Sequence, residues 1–256
     1  MRVIVFDTET IGKVSQDLLN VGYRIIDIDI QNGTYTLLCE RDYLVRDLIN
    51  NTIYCLNDDF VGAEKYGRYL IALENKQAIK RNIPQIFTTL ANDIKKYQVL
   101  FGYAYNCNFD LDKFDRTSKK FEIANPVENL PVFDIWAYAY EYICNTNEYK
   151  QWAQDNNQVT ESGMYIPSSV EGVCKYLYNN LDFKEDHTAL SDTLHETNIL
   201  MECVKRGCDI TRALPSAKRI PSGKVFTKTI VLPNGETMEI EYTREYKRGD
   251  KVTYKM

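Results

Sequence analysis

Two acidic residues directly after an apolar stretch are the first candidates for chemistry in this chain of 256 residues. Residues 2–6 are mostly apolar and β-branched, which predicts a strand buried on both faces, and Asp7 and Glu9 follow them. On an extended backbone these two side chains point to the same side of the sheet. Adjacent carboxylates repel each other unless a cation neutralises them, and Mg²⁺ and Mn²⁺ prefer oxygen ligands. The pair therefore indicates either a divalent-cation site or a strand end that opens into solvent.

Two more acidic residues could reach the same edge of the sheet. Asp110 follows a second apolar segment, residues 97–105, and opens a predicted helix. Asp192 lies on a later predicted helix, five residues after His187. Because that spacing separates two side chains by roughly 140° on a continuous helix, we expect His187 to lie in the preceding loop and to face the same site as Asp192. Taken singly, these residues could equally be helix caps and a structural histidine, whereas together they predict one acidic site.

These acids stand in three segments that resemble the motifs of the DEDDh 3′→5′ exonucleases. The segments are Phe6-Asp7-Thr8-Glu9-Thr10 with Gly12, Asn106-Cys107-Asn108-Phe109-Asp110, and His187-Thr188-Ala189-Leu190-Ser191-Asp192. The histidine places the resemblance with the branch that contains the polymerase III epsilon proofreading subunit and ribonuclease T, because the other branch has tyrosine at the position of Thr188. The resemblance covers residues 1–40 and 94–207, and it departs from the family at Ile11, at residues 41–80 and at residues 211–256.

The resemblance implies a fold and a reaction. The fold is a ribonuclease H-like α/β domain of three layers, with a mixed five-stranded sheet whose first three strands are antiparallel. The reaction is hydrolysis of the terminal phosphodiester at the 3′ end of single-stranded DNA or RNA, with DNA favoured, which releases nucleoside 5′-monophosphates. The alternatives are an exoribonuclease that trims RNA and a catalytically idle module of the same fold that binds nucleic-acid ends or a partner.

The resemblance also implies roles for individual residues. Four acids would hold two divalent cations, Mg²⁺ or Mn²⁺: Asp7, Glu9, Asp110 and Asp192. His187 would be the general base that takes a proton from the attacking water. Thr10 and Asn106 would contact the terminal nucleotide.

Three aromatic residues stand in or before the second motif. We expect Phe109 to pack in the core, and Tyr103 and Tyr105 either to pack there as well or to line the entrance for the substrate. Aromatic faces stack on single-stranded bases of any sequence, so a position at the entrance is compatible with the expected substrate.

Turn signals and periodicity predict the elements around these motifs. Alternating apolar residues on both sides of Asn32-Gly33 predict an antiparallel hairpin over residues 23–39. A capping box at residues 168–171 predicts a helix start, and Gly207 predicts the end of the last helix. Apolar spacing indicates helices over residues 43–48, 63–73 and 83–96, and a strand that continues as a helix over residues 132–143. Residues 145–163 are polar, and we expect an inserted, mobile loop or a short helix there.

The last part of the chain differs in composition from the rest. Pro215, Pro221 and Gly223 indicate a linker, and Pro233-Asn234-Gly235 predicts a second hairpin. Residues 212–256 hold ten Lys and Arg against five acids, a net charge of +5, whereas the whole chain carries −5. We therefore expect an exonuclease domain over residues 1–210 and a basic β-rich appendage over residues 211–256. Such an appendage would contact phosphates or dock a polymerase or another replication or repair partner.

Composition excludes several other classes of protein. The seven cysteines include no C-x-x-C pair, which argues against a zinc site or a disulfide framework. Asp7 interrupts any signal-like apolar segment, and no apolar run approaches the length of a membrane span. We expect a cytoplasmic protein, and the abundance of Asn, Lys, Ile and Tyr suits an AT-rich bacterial or phage genome.

Overall fold

The central strand of the protein is β1 (Arg2–Ile11), whose apolar residues are buried on both faces as the sequence predicts. The structure, a computed structural model, describes residues 1–160, 163–223, 225–231 and 237–243. In it, β1 pairs antiparallel with β2 (Asp17–Asp29) and parallel with β5 (Phe101–Ala104). β2 also pairs antiparallel with β3 (Thr34–Val45), so the expected antiparallel order of the first three strands is confirmed.

Two short strands complete the sheet at its edges. β6 (Val132–Asp134) pairs parallel with β5, and β4 (Ile79–Arg81) pairs parallel with β3. Within the described residues the sheet therefore has six strands in the order β4-β3-β2-β1-β5-β6, one more than the five expected. The additional strand, β4, is only three residues long and lies at an edge, so its sequence carries no alternation to predict it.

The helices lie between these strands and after them. In chain order they are α1 (Arg46–Ile49), α2 (Thr52–Leu56), α3 (Gly62–Glu74), α4 (Ile83–Lys96), α5 (Asn108–Phe121), α6 (Ile135–Ala139), α7 (Asn147–Asp155), α8 (Val170–Leu177) and α9 (Ala189–Lys205). A π-helical turn over Tyr140–Cys144 continues α6. The helices expected over residues 63–73 and 83–96 are confirmed, the latter with the same first and last residues.

Helices cover both faces of the sheet, which confirms the three-layer α/β architecture. Val3 and Val5 of β1 belong to the core beneath α6, α8 and α9, whereas Ile4 and Phe6 belong to the core beneath α4 and α5. Because side chains alternate along a strand, the odd-numbered Asp7 continues the face under α9. Thr8 faces α5 instead, where its hydroxyl bonds Asp110.

The start of α9 packs directly on β2 because residue 22 is glycine. A Cβ atom at Gly22 would lie 2.2 Å from the main-chain nitrogen of Leu190, so no larger residue fits. The buried side chain of Asn20 accepts a hydrogen bond from the main-chain N–H of Ala189 at 2.9 Å. Gly22 is also the residue that pairs with Asp7 in the sheet. The first turn of α9 is therefore held against the end of β1.

Two local predictions are wrong. Residues 43–45, expected in a helix, end the strand β3, because pairing with β2 extends to Leu44, and the helix begins only at Arg46. The N-cap of α8 is Ser169, which accepts a hydrogen bond from the N–H of Gly172 at 3.3 Å, and not Ser168. Ser168 instead accepts hydrogen bonds from two aromatic side chains near the candidate site.

The described residues after position 210 contribute to two antiparallel strand pairs. β7 (Tyr165–Ile166) pairs antiparallel with β8 (Ile220–Pro221), and Ile220 is buried in the core beneath α9. β9 (Val225–Val231) and β10 (Thr237–Thr243) form the second expected antiparallel pair. Its predicted turn at residues 233–235 and the chain from residue 244 onward lie outside the described residues. The division into units at residue 210 stays a prediction.

Two features of composition have structural counterparts. All seven cysteines lie in the described ranges, and each is a buried free thiol. Across the described part of the chain, no helix combines the length and the apolar character that crossing a membrane requires.

Candidate active site

Asp7 and Glu9 lie at the end of β1, where the strand leaves its regular pairing. A register shift between Glu9 and Thr10 marks a β-bulge, a feature that bends a strand and re-aims its side chains. Both acids line a cavity of about 410 Å³ between the end of the sheet and α9. The expectation that their side chains share one side of the strand agrees with this placement.

Asp110 reaches the same strand end from the opposite face of the sheet. It lies in the first turn of α5 and is 1% exposed. One carboxylate oxygen, Oδ1, accepts hydrogen bonds from the N–H of Thr8 at 2.9 Å and from its hydroxyl at 2.7 Å. The residue between the two acids of β1 therefore fixes the orientation of the Asp110 carboxylate.

His187 and Asp192 meet as the sequence spacing predicts. His187 precedes α9, has a φ of 52° and is exposed, whereas Asp192 lies in the first turn of α9 and is buried. Ligand atoms of Glu9, His187 and Asp192 all lie within 4.8 Å of one another. Arg68 of α3 donates a hydrogen bond to the main-chain oxygen of Asp186, which ties the His187 loop to that helix.

The two residues expected to contact a nucleotide lie at different places. Asn106 is exposed at the rim of the cavity with a φ of 59°, and its N–H donates to Asp134 at 2.8 Å. Thr10 is 8% exposed and lines an adjoining cleft of about 620 Å³ that shares Glu9 and His187 with the cavity. The structure thus places Asn106 in the cavity that Asp7, Glu9 and Asp192 line, and Thr10 in the adjoining cleft.

Glu196 is an acidic residue of the site that the sequence motifs missed. It lies one turn after Asp192 on α9, is 2% exposed and lines the same cavity. Its Oε1 accepts a hydrogen bond from the N–H of Tyr105 at 3.2 Å. The signal that could have found it is the spacing of four residues from Asp192, which puts both side chains on one helix face.

Three carboxylates of the site each have a buried oxygen atom that no described residue bonds: Oδ2 of Asp7, Oδ1 of Asp192 and Oε2 of Glu196. Buried carboxylate oxygens are normally satisfied by donors, because leaving one bare costs free energy. The three atoms therefore mark a place where the fold leaves acceptors unused.

Burial and mutual repulsion raise the pKa values of these acids. Burial raises the pKa of Asp192 to about 8, with further contributions from Glu185 and Glu9. Burial also raises the pKa of Asp110 to about 7, against the lowering effect of the hydrogen bonds from Thr8. The pKa of Asp7 lies well above its usual value because of burial first and the neighbouring acids second. The charged forms of these groups need a positive partner.

Lys65 supplies part of that positive charge from an element that the sequence motifs do not include. Its ammonium nitrogen lies 2.8 Å from Oε2 of Glu9, and its side chain is 9% exposed. Lys65 lies on α3, in the segment 41–80 for which the resemblance offers no counterpart. Among the described residues, no lysine or arginine forms an ion pair with Asp7, Asp110, Asp192 or Glu196.

Aromatic side chains form the other wall of the cavity. Tyr105 and Trp136 stack with their ring centroids 6.5 Å apart, and both bond Ser168. Phe109, expected in the core, is 38% exposed and lines the cavity, so that expectation is wrong. The first turn of α5 turns Phe109 outward while Asp110 points inward. Tyr103 is fully buried and belongs to the core.

The donor set fits hard divalent cations. Carboxylate oxygens with an adjacent imidazole are ligands that Mg²⁺ and Mn²⁺ accept, and the bare oxygens of Asp7, Asp192 and Glu196 lack other described partners. A cation at this position would also relieve the repulsion that raises the pKa values of the acids. The residues present therefore match the cofactor that the sequence resemblance implies.

Comparison with known proteins gives a match in structure alone. No protein-family model and no curated protein sequence matches this chain. Among solved structures, it matches the nuclease domain of 3′hExo, a DEDDh family member determined with bound rAMP, at a TM-score of 0.53 and 11% sequence identity. The match covers 86% of this chain and 97% of that one. The fold is that of a DEDDh exonuclease nuclease domain, as the sequence motifs imply.

Proposed function

We propose that this chain is a divalent-cation-dependent 3′→5′ exonuclease that acts on single-stranded nucleic acid. The observation that carries the proposal is the approach of Glu9, His187 and Asp192 to within 4.8 Å at the end of β1, beside the bare oxygens of Asp7 and Asp192. The first and third motifs meet there, and the second motif joins them through the hydrogen bonds that Asp110 accepts from Thr8.

The proposed roles follow the motifs. The acids that would hold the cations are Asp7, Glu9, Asp110 and Asp192. Mg²⁺ or Mn²⁺ bound there would favour ionisation of an attacking water and offset the charge on the leaving 3′ oxygen. Asp110 is pre-oriented for its part by the two hydrogen bonds from Thr8.

His187 is proposed as the general base. It lies outside the helix that carries Asp192, is exposed at the mouth of the cavity and has no packing that would keep water away. A ring nitrogen can therefore accept a proton from a water held against the scissile phosphate and pass it to solvent. The hydrogen bond from Arg68 to the main chain of Asp186 limits how far this loop can move.

The walls of the cavity suit a nucleotide. We propose that Phe109 and the stacked Tyr105–Trp136 pair contact the terminal base, and that Asn106 contacts its sugar or phosphate. Thr10 lies in the adjoining cleft, where Lys65 pairs with Glu9 and Arg68 with Glu64. Acids outnumber basic residues along that cleft, so we assign it no phosphate-binding role. The structural match adds support, because rAMP in 3′hExo is a nucleoside monophosphate, the class of product expected here.

The experiment is a time course on single-stranded DNA and RNA oligonucleotides labelled at the 5′ or the 3′ end, with Mn²⁺, with Mg²⁺ and with EDTA. We expect stepwise shortening from the 3′ end, release of nucleoside 5′-monophosphates and no reaction in EDTA. The faster polymer identifies the substrate. Asp7→Asn, which removes a cation ligand without changing side-chain size, is the matched inactive control.

Two outcomes would contradict the proposal. Cleavage inside the oligonucleotide would replace an exonuclease with an endonuclease. Binding without any shortening of DNA or RNA, in protein shown to bind Mn²⁺, would favour a module that holds nucleic-acid ends. The basic tail and a polymerase partner stay predictions from the sequence.

A further inference from the structure

Glu196 has no role in the motifs that define the proposed site, yet it lies inside that site. Its side chain is 2% exposed, lies on the face of α9 that carries Asp192 and lines the cavity together with Asp7. Glu196 takes part in the repulsion among these acids. After the larger effect of burial, Asp110 raises the pKa of Glu196, and Asp110 and Glu196 raise the pKa of Asp7.

The two oxygens of Glu196 are in different situations. Oε1 accepts the N–H of Tyr105, the residue that follows β5, and so ties α9 to the end of that strand. Oε2 is buried and has no hydrogen-bond partner in the described part of the chain. A structural role at Tyr105 requires one acceptor only, and a glutamine would provide it without a buried charge.

Burying Oε2 without a partner costs free energy, which points to a bound ligand. A buried charge without a partner destabilises a fold by several kcal/mol in ordinary contexts, so such groups are usually paired or bound to a metal. No described lysine, arginine or histidine forms an ion pair with Glu196 within 4.0 Å, and the ammonium of Lys65 pairs with Glu9 instead. The bare oxygens of Asp7 and Asp192 line the same cavity.

We infer that Glu196 is a further carboxylate of the cation site, and that its Oε2 binds the divalent cation directly or through a water held by it. This inference rests on the proposed function for the identity of the site, and it adds a residue that the three motifs do not contain. Its consequence is a site of higher negative charge, which binds Mg²⁺ or Mn²⁺ more tightly than the motif acids alone.

The test compares Glu196→Gln with Glu202→Gln, a matched control on the same helix. Glu202 pairs with Arg206 at 2.8 Å and lines a different cleft, so its substitution leaves the cation site unchanged. Mn²⁺ binding is measured without substrate, by isothermal titration calorimetry and by electron paramagnetic resonance. We expect Glu196→Gln to weaken Mn²⁺ binding by about 10–100-fold, the range seen for groups that support a metal site, and Glu202→Gln to leave it unchanged.

A second variant separates charge from shape. Glu196→Asp keeps the carboxylate but shortens the side chain, so we expect Mn²⁺ binding weaker than that of the wild type and tighter than that of Glu196→Gln. Wild-type Mn²⁺ affinity in a folded Glu196→Gln variant, verified by circular dichroism, would overturn the inference and leave the bond to Tyr105 as the function of the residue.

Different results would contradict the assignment of Glu196 and the proposed exonuclease function. If the wild type binds Mn²⁺ and Glu196→Gln weakens that binding, but no oligonucleotide is shortened, then Glu196 belongs to a cation site that is not an exonuclease site. If oligonucleotides are shortened and Glu196→Gln binds Mn²⁺ as the wild type does, then only the assignment of Glu196 is wrong.

Discussion

The acidic cluster at the end of β1 and the acid Asp93 on α4 both place carboxylate oxygens away from solvent, but these oxygens are satisfied in different ways. The cluster consists of Asp7, Glu9, Asp110, Asp192 and Glu196. Asp93 is 7% exposed and accepts a hydrogen bond from the hydroxyl of Tyr23 at 2.8 Å. The guanidinium of Arg41 lies 3.5 Å from the same carboxylate, and the thiol of Cys39 lies 3.7 Å from it. In the cluster, by contrast, Asp7, Asp192 and Glu196 each keep an oxygen that no described group bonds.

This difference distinguishes a structural acid from the proposed cation site. Asp93 holds α4 to β2 and β3 with donors that the chain itself supplies, so the carboxylate needs nothing from outside. The cluster contains several acids and one nearby ammonium group, that of Lys65. Within the described residues the acids of the cluster outnumber its cations, so a bound proton or the proposed cation would be needed to offset their charges.

The largest expected effect is that Asp192→Asn and Asp93→Ala change activity and stability in opposite ways. Asp192→Asn should abolish cleavage by removing a proposed cation ligand. It should also raise the melting temperature in EDTA above about pH 8, where Asp192 of the wild type is charged and buried. Asp93→Ala should lower the free energy of unfolding by about 1–3 kcal/mol, because the Tyr23 hydroxyl loses its acceptor. Its folded fraction should still cleave.

Thermal unfolding in EDTA and the oligonucleotide assay, measured on both variants, check the two predictions. For a chain of this size each kcal/mol corresponds to roughly 2–4 °C in the melting temperature. Loss of cleavage by folded Asp93→Ala protein, or a lower melting temperature for Asp192→Asn in EDTA, would remove the distinction between the two acids.

A smaller effect is expected at His187, which lies beside the cluster but is exposed. His187→Ala should reduce the cleavage rate by about 10²–10⁴-fold, the range for loss of a general base, while Mn²⁺ binding is retained. The matched control is His195→Ala, because His195 bonds Tyr178 at 3.0 Å away from the cavity. Since a His187 ring nitrogen lies within 4.8 Å of Glu9 and Asp192 oxygens, a collapse of Mn²⁺ binding would identify His187 as a ligand instead.

The last expected effect is a pH dependence of stability to which the raised pKa of Asp192 contributes. Burial, Glu185 and Glu9 raise the pKa of Asp192 from 3.8 to about 8, against the lowering effect of Lys65. Between these values the folded protein binds more protons than the unfolded chain, so stability falls as the pH rises from about 4 to about 8. Melting curves in EDTA should show this fall.

Two controls sharpen this measurement. Asp192→Asn should reduce the pH dependence without abolishing it, because one group with a raised pKa is gone while Asp110 and Asp7 keep theirs. Mn²⁺ added at pH 8 should restore the melting temperature of the wild type, because the cation replaces the proton. A wild-type melting temperature in EDTA that rises over the same pH range would contradict the assignment of raised pKa values to the cluster.

Much of this molecule could be predicted from local sequence. The β1 strand, the hairpin that follows it and the helix over residues 83–96 depend on periodicity, turn residues and caps that neighbouring residues supply. The position of His187 before α9 follows from helix geometry alone. The motif residues Asp7, Glu9, Asp110 and Asp192 converge because they stand at strand ends and helix starts, which a layered α/β fold brings to one edge.

Other features depended on contacts between distant segments. Phe109 has the composition of a core residue, but the Thr8–Asp110 hydrogen bonds fix the turn of α5 that directs it outward. Residues 43–45 extend a strand because β2 is there to pair with them. Neither outcome can be read from the segment itself.

The sequence by itself determined the set of acids, their order and the elements that carry them, because these depend on residue types at short spacings. Only the tertiary structure decided which further charges enter the site: Glu196 through the packing of α9 on Gly22, and Lys65 through the approach of α3 to the end of β1. The physical reason is that a charge acts through space, and the distance that sets its effect is fixed by long-range packing.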